Sequence, residues 1–113
     1  CGGDRDRTKR PKMGNIASSL SNQVVFTSDN PRSEDPQQII DEVEAGVRPE
    51  NYKKTISILD RKQAIKTACK LAQQGDIILI AGKGHETYQI IGDQKTGFDD
   101  FEITNQILTE LNK

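Results

Sequence analysis

The feature that most limits how this chain can fold is the stretch over residues 75–86, which reads G-D-I-I-L-I-A-G-K-G-H-E. Ile77, Ile78, Leu79, Ile80 and Ala81 form an unbroken apolar run between Gly75 and Gly82. A short β-branched run of this kind fits a strand covered on both faces, as in the middle of a parallel sheet. Beyond it, Gly82 and Gly84 allow a tight turn and a close backbone approach to a ligand. Lys83, His85 and Glu86 gather a cation, an imidazole and a carboxylate at the same point. Ligands of open α/β sheets sit beyond the carboxyl ends of the strands, so this loop is the first candidate site.

The rest of the chain arranges itself around that strand. Residues 1–10 read as a polar, glycine-containing loop, and Pro11 opens a helix whose apolar positions are Met13, Ile16, Ala17 and Leu20. A short strand over 24–26 leads into a turn-rich loop over 27–35, where Pro31 forces Asn30 into an extended conformation. Asp35 caps a second helix with Ile39, Ile40 and Val43 on its buried stripe, ending at Gly46. Residues 47–54 read as loop and 55–59 as a strand. Asp60 caps a third helix carrying Ala64, Ile65, Ala68, Leu71 and Ala72, which Gly75 ends. After the central strand, Tyr88, Ile90 and Ile91 predict another, which Gly92-Asp93 turns back as a hairpin. A last helix carries Ile103, Ile107, Leu108 and Leu111. Alternation of strand and helix predicts a Rossmann-like α/β domain, with a mostly parallel sheet, helices on both faces and a terminal hairpin.

At 113 residues there is room for a single domain, 1–113. The opening Cys-Gly-Gly-Asp-Arg reads like a loop leaving a strand that is not present. The expectation is a domain truncated at its N-terminal edge, with a sheet edge left unpaired. Charged residues make up 29% of the chain, yet the net charge is −1, so no general attraction to nucleic acid or anionic lipid follows. No apolar stretch approaches the length of a membrane span. Cys1 and Cys69 are the only cysteines, and they read as reduced thiols of a cytoplasmic protein rather than a disulfide. One His and two distant Cys give no zinc spacing, and no nucleophilic triad stands out.

Three loops carry unusual polar groups: Gly2-Gly3-Asp4-Arg5, Asp29-Asn30-Pro31-Arg32, and the loop opened by Gly82. Each follows a visible or inferred strand, so parallel strands put all three along one sheet edge. Asp4, Arg5, Asn30, Arg32, Lys83, His85 and Glu86 suit a small zwitterion better than a phosphate alone. An Arg fork grips a carboxylate bidentately, Asn donates and accepts, and Glu holds an ammonium group. Neither a dinucleotide fingerprint nor a P-loop is present, since Gly82-x-Gly84 lacks the third glycine and the Gly-Lys-Ser/Thr ending. A purely structural turn at Gly82, a loop-locking His85 and a solvated basic cluster over Arg5, Arg7, Lys9, Arg10 and Lys12 remain open alternatives.

At these loops the chain resembles the Mur ligases of peptidoglycan synthesis, in particular the C-terminal domain of the diaminopimelate-adding branch. The matching stretches are Cys-Gly-Gly-Asp-Arg-Asp, Lys9-Arg10-Pro11-x-Met13-Gly14, Asp29-Asn30-Pro31-Arg32-x-Glu34-Asp35-Pro36 and Ala81-Gly82-Lys83-Gly84-His85-Glu86-x-Tyr88-Gln89. They span nearly the whole chain; Phe101, where the family often has Arg, is a local departure. The resemblance implies an ATP-dependent amide ligase that adds meso-diaminopimelate to UDP-N-acetylmuramoyl-L-alanyl-D-glutamate. It implies that ATP and Mg2+ are held mainly by a central domain, so that residues 1–113 alone have no ligase activity. Carried over by motif, Arg5, Asp29, Asn30, Pro31, Arg32, Gly82 and Glu86 are expected to bind the incoming amino acid, and Asp4 the nucleotide cofactor. The full-length enzyme is expected to be a cytoplasmic monomer. A lysine-adding relative, a folylpolyglutamate synthase-like domain and a non-catalytic ligand-binding module are the alternatives. Arg32 argues against lysine, which has no second carboxylate to pair with it.

Overall fold

The computed structural model describes residues 1–83 and 85–113; Gly84, the second glycine of the loop singled out above, lies outside the described residues. The elements run α1 (Lys9–Leu20), β1 (Val24–Phe26), α2 (Pro36–Glu44), a 3-10 helix (Pro49–Lys54), β2 (Thr55–Ser57), α3 (Arg61–Leu71), β3 (Tyr88–Ile91), β4 (Gln94–Gly97) and α4 (Asp100–Glu110). The alternation is that of an α/β domain. Three helices begin on an aspartate whose carboxylate accepts from the first-turn amides: Asp35 from Gln37, Asp60 from Lys62, and Asp99 from Phe101 and Glu102.

Strands β1 and β2 pair in parallel, Val24 against Thr55, with α2 and the 3-10 helix forming the crossover. Strands β3 and β4 form the expected hairpin, Tyr88 against Gly97. Two apolar clusters lie under these elements. One joins Phe26, Ile40, Val43 and Val47; the other joins Ile65, Cys69 and Ile107, with Ile80, Phe98 and Ile103 packed against it. Cys69 is buried in the second cluster, and burial pushes its thiol above its ordinary pKa.

Three expectations need correction. Residues 77–81 form neither helix nor strand and join no ladder among the described residues, and Ile77 and Leu79 are 95% and 86% exposed. A strand needs partners for its amides and carbonyls, and none of the described strands lies beside this run. Ile80, on the opposite side of the run, still packs onto the second cluster. Residues 47–54, read as loop, contain a 3-10 helix opened by Pro49. Helix α1 starts at Lys9 and buries Arg10, Gly14 and Ser18, leaving Met13, Ile16 and Leu20 exposed. The cause is close packing on α2: a Cβ at Gly14 would stand 1.9 Å from the Val43 carbonyl oxygen, so only glycine lets the two backbones meet.

Candidate functional site

Cross-loop hydrogen bonds draw the three polar loops together. The first loop joins the second through Gly3 N–H to the Asn30 carbonyl at 2.7 Å, and through the Ser33 hydroxyl to the Asp4 carboxylate at 2.5 Å. The Asp4 amide donates in turn to Glu34 Oε2. Gly3 sits so close to Pro31 that a Cβ there would fall 1.7 Å from the Pro31 carbonyl oxygen. Behind the contact, buried Arg10 ties Glu34, Glu42 and the Gly2 carbonyl together at 2.9–3.1 Å.

The second loop is stitched to β3. Gln89 Nε2 donates to the Asp29 carbonyl at 2.7 Å, Ile90 N–H to Asn30 Oδ1 at 2.8 Å, and Arg32 N–H to the Ile90 carbonyl at 3.0 Å. Gly92 N–H closes the seam on the Arg32 carbonyl. Arg32 adopts φ 52, a left-handed conformation that costs a non-glycine residue about 1–3 kcal/mol and persists only where surroundings over-determine it. Asp4 does the same at φ 56.

The third loop meets the second at Gly82 and β3 through Lys83. Gly82 has φ 108, and its missing Cβ faces Asp29 Oδ2 at 3.5 Å. Lys83 is buried, donates to the Tyr88 carbonyl and lies 5.5 Å from the Tyr88 ring, so it fastens the loop to β3. The Tyr88 hydroxyl donates to Glu86 Oε2 at 3.2 Å. That bond, and then the Glu86 charge, push the phenol above its ordinary pKa, while Arg32 and Arg5 pull it back. Glu86 is thus held at the Tyr88 hydroxyl, and the charges of Arg32 and Arg5 are felt there. A cleft of about 590 Å³ opens here, lined by Gly82, Lys83, His85, Glu86, Thr87 and Tyr88.

The side chains differ in what they still have to offer. Asn30 is 1% exposed and its oxygen is taken by Ile90, so in this structure it fixes the loop. Pro31 is buried beneath Gly3. Asp4 is exposed and has its carboxylate on Ser33, which ties it to the second loop. Arg32 spends Nη1 on the Gly3 and Asn30 carbonyls, and its Nε–Nη2 edge has no hydrogen bond among the described residues. Arg5 is exposed and donates only to the Asp4 carbonyl among them. Asp29 is 9% exposed, and its Oδ1 is buried with no partner among the described residues. A buried carboxylate oxygen in that condition is a ready acceptor for an ammonium group.

Two cations and two carboxylates, Arg5, Arg32, Asp29 and Glu86, thus converge on one region, an arrangement able to hold a polyfunctional amino acid. Among the described residues no group of three or more His, Cys, Asp or Glu is gathered, so a divalent cation such as Mg2+ finds no fitting ligand set here. Sequence reasoning passed over Tyr88, Gln89 and Arg61. Tyr88 stood two places from Glu86 in a matching motif, which was the available signal.

A family model described as Mur ligase, glutamate ligase domain, matches residues 1–84. The UDP-N-acetylmuramoyl-L-alanyl-D-glutamate–2,6-diaminopimelate ligase of Cytophaga hutchinsonii is 58% identical over 113 residues, covering 100% of this chain and 23% of its own length. The Bacillus velezensis protein of the same name is 54% identical over 113 residues, covering 100% and 22%. A solved structure of a ligase of that name superposes with a TM-score of 0.92 at 44% identity, over 100% of this chain and 23% of that one. The chain thus spans about a quarter of the length of the curated relatives it matches.

Proposed function

The chain belongs to the Mur ligase family, and from that premise we propose that it is the amino-acid-binding domain of a longer ATP-dependent ligase. That enzyme adds meso-diaminopimelate to UDP-N-acetylmuramoyl-L-alanyl-D-glutamate during peptidoglycan precursor synthesis. Residues 1–113 form its C-terminal domain, whose sheet is completed by a strand from the preceding chain. The exposed run over 77–81 supports that completion. ATP and Mg2+ belong to the rest of the enzyme, and the place of work is the cytoplasm, as a monomer. No helix of the described residues is long and apolar enough to cross a membrane.

In the reaction proposed, ATP phosphorylates the D-glutamate carboxylate, and the amine of the incoming amino acid attacks the acyl phosphate. An amide bond forms, phosphate leaves with the bonding pair, and the amine loses a proton. This chain's part is to bind and aim the amine. The free edge of Arg32 takes the distal carboxylate of the acceptor in two parallel hydrogen bonds, and Arg5 takes the other. Glu86 takes the distal ammonium group, and Asp29 orients the reacting amine, which attacks in its neutral form. Asn30 and Gly82 hold the loops that present them.

The observation that carries this reading is that two guanidinium groups and two carboxylates stand on the loops around β3, with Arg5 and Arg32 both beside Gly2, Asp29 beside Gly82 and Glu86 on the Tyr88 hydroxyl. Diaminopimelate has the complementary set, whereas lysine lacks one carboxylate. Removing Arg32 leaves the second carboxylate unpaired, so Arg32→Ala in the full-length enzyme lowers kcat/KM for diaminopimelate by about 30-fold or more. Arg32→Lys recovers only part of the loss, because an ammonium is a point charge without the fork. Competition between diaminopimelate and lysine on wild type and both variants is the test. Equal losses for the two amino acids would mean that Arg32 only shapes its loop.

A further inference from the structure

Arg61, the first residue of α3, is 4% exposed, and Asp100, the first residue of α4, is 8% exposed. The guanidinium grips the Asp100 carboxylate through Nε at 2.8 Å and Nη2 at 2.7 Å. Two of its three remaining protons go to backbone carbonyls, Nη1 to Ser28 at 2.9 Å and Nη2 to Ala81 at 3.2 Å. Ser28 immediately precedes Asp29, and Ala81 immediately precedes Gly82. One buried side chain therefore holds the entry points of two loops that lie far apart in sequence. The anchor itself is rigid, because both partners stand on capped helix starts and the Asp100 carboxylate lies at the positive end of α4.

A buried ion pair is weak evidence of stability, since well-packed apolar residues often serve as well. What apolar residues cannot do is fix two carbonyls in a set geometry. Only a guanidinium offers the number and spacing of donors used here; a lysine ammonium cannot reach all four acceptors in one plane.

We propose that Arg61 and Asp100 are positioning residues that hold the Asp29–Arg32 loop and the Gly82–Glu86 loop in mutual register, and so set the affinity for the amino acid without touching it. The binding half of this proposal rests on the acceptor role proposed above; the register half stands on the geometry alone. The register decides how far the Asp29 carboxylate lies from Gly82, a separation that is 3.5 Å to the position a Cβ would take. Shifting either loop weakens contacts made alike in the ground and transition states, so it raises KM more than it slows the chemical step.

The experiment compares Asp100→Asn and Arg61→Lys with Ile107→Ala, a core variant chosen to lower Tm by a similar amount, all in the full-length enzyme. The ligand-free readout is hydrogen exchange at the Arg32 and Glu86 amides, which are bonded to the Ile90 and Lys83 carbonyls. The second readout is the KM for diaminopimelate beside that for ATP. Both ion-pair variants are expected to speed exchange in the two loops together and to raise the diaminopimelate KM by about 10-fold, with the ATP KM and kcat within about 2-fold. Arg61→Lys, which keeps the charge, is expected to rescue little. Exchange that quickens in only one loop, or a KM that moves no further than in Ile107→Ala, overturns the proposal. Failure of the acceptor reading has a different signature: Arg32→Ala then leaves the competition between amino acids unchanged while the coupled exchange persists.

Discussion

Arg32 combines backbone and side-chain duties that a single substitution cannot separate, since its amide and carbonyl bind β3 while Nη1 holds the first loop. Glu86 offers a cleaner handle, because its contact among the described residues is the Tyr88 hydroxyl. Glu86→Gln keeps that acceptor and removes the charge. In the full-length enzyme it is expected to raise the KM for diaminopimelate and move the KM for ATP far less, as for a contact shared by ground and transition states. Equal changes for both substrates would assign Glu86 to folding of the loop. Gly3→Ala tests the seam between loops from the other side. The added methyl would meet backbone and not a side chain at Pro31, so the first loop must move away. A loss of about 1–3 kcal/mol is expected, read as a lower denaturant midpoint. These residues stood out in the sequence because charged side chains gather with glycine or proline in short loops that follow strands. Gln89, Asn30 and Arg61 were not legible as braces: their bonds reach backbone atoms 60, 60 and 33 residues away, and no local pattern marks that.

Helix α1 shows how an element can be foreseen while its face is not. Apolar spacing pointed to Met13, Ile16 and Leu20, but the helix buries Arg10, Gly14 and Ser18, meeting α2 at Arg10 and Gly14 and the 3-10 helix at Ser18. The stripe is polar because the contact is made by backbone proximity at Gly14 and by charge at Arg10, neither of which a hydrophobic period detects. That contact carries a pH dependence. Hydrogen bonding from Arg7, aided by Arg10, holds the Glu42 carboxyl at about 2, against 4.5 for the free group. Glu34 is lowered as well, chiefly by its hydrogen bond from Arg10. Carboxylates depressed on folding add stability that is complete above their unfolded pKa and fades as acid protonates the folded form. For Glu42 the window runs from pH 4.5 down to about 2. Thermal melts across that range are expected to fall in wild type and to flatten in Glu42→Gln. A wild-type slope preserved in the variant would place the acid sensitivity elsewhere. The strands were read with similar unevenness: β1 and the hairpin stood out by composition, whereas 77–81, the clearest strand signal of all, forms no ladder among the described residues.

At the scale of the whole molecule that mismatch becomes informative. The chain is slab-like, 38 × 38 × 19 Å, with a radius of gyration of 14.0 Å, against about 13 Å for a compact domain of this length. Two separate apolar clusters stand where one continuous core is usual. Ile77 and Leu79 face away from the second cluster, and Met13, Ile16 and Leu20 also lie open. In a completed parallel sheet a further strand pairs the backbone of such a run, and apolar helix faces such as the open side of α1 cover its two sides. The proposal that the preceding chain supplies that strand makes a sharp prediction at Leu79. A charge at a position 86% exposed, as here, changes stability by no more than about 0.5 kcal/mol. The same charge under a completed sheet loses the buried leucine and strands an unpaired carboxylate, costing about 3–5 kcal/mol. Leu79→Asp in the full-length enzyme is therefore expected to lower Tm by several degrees or to prevent accumulation of folded protein. Ile78→Val, which removes one methylene beside it, should be tolerated. An unchanged Tm for Leu79→Asp would mean that the run stays open in the full-length enzyme too, and that the sheet ends where the described ladders end.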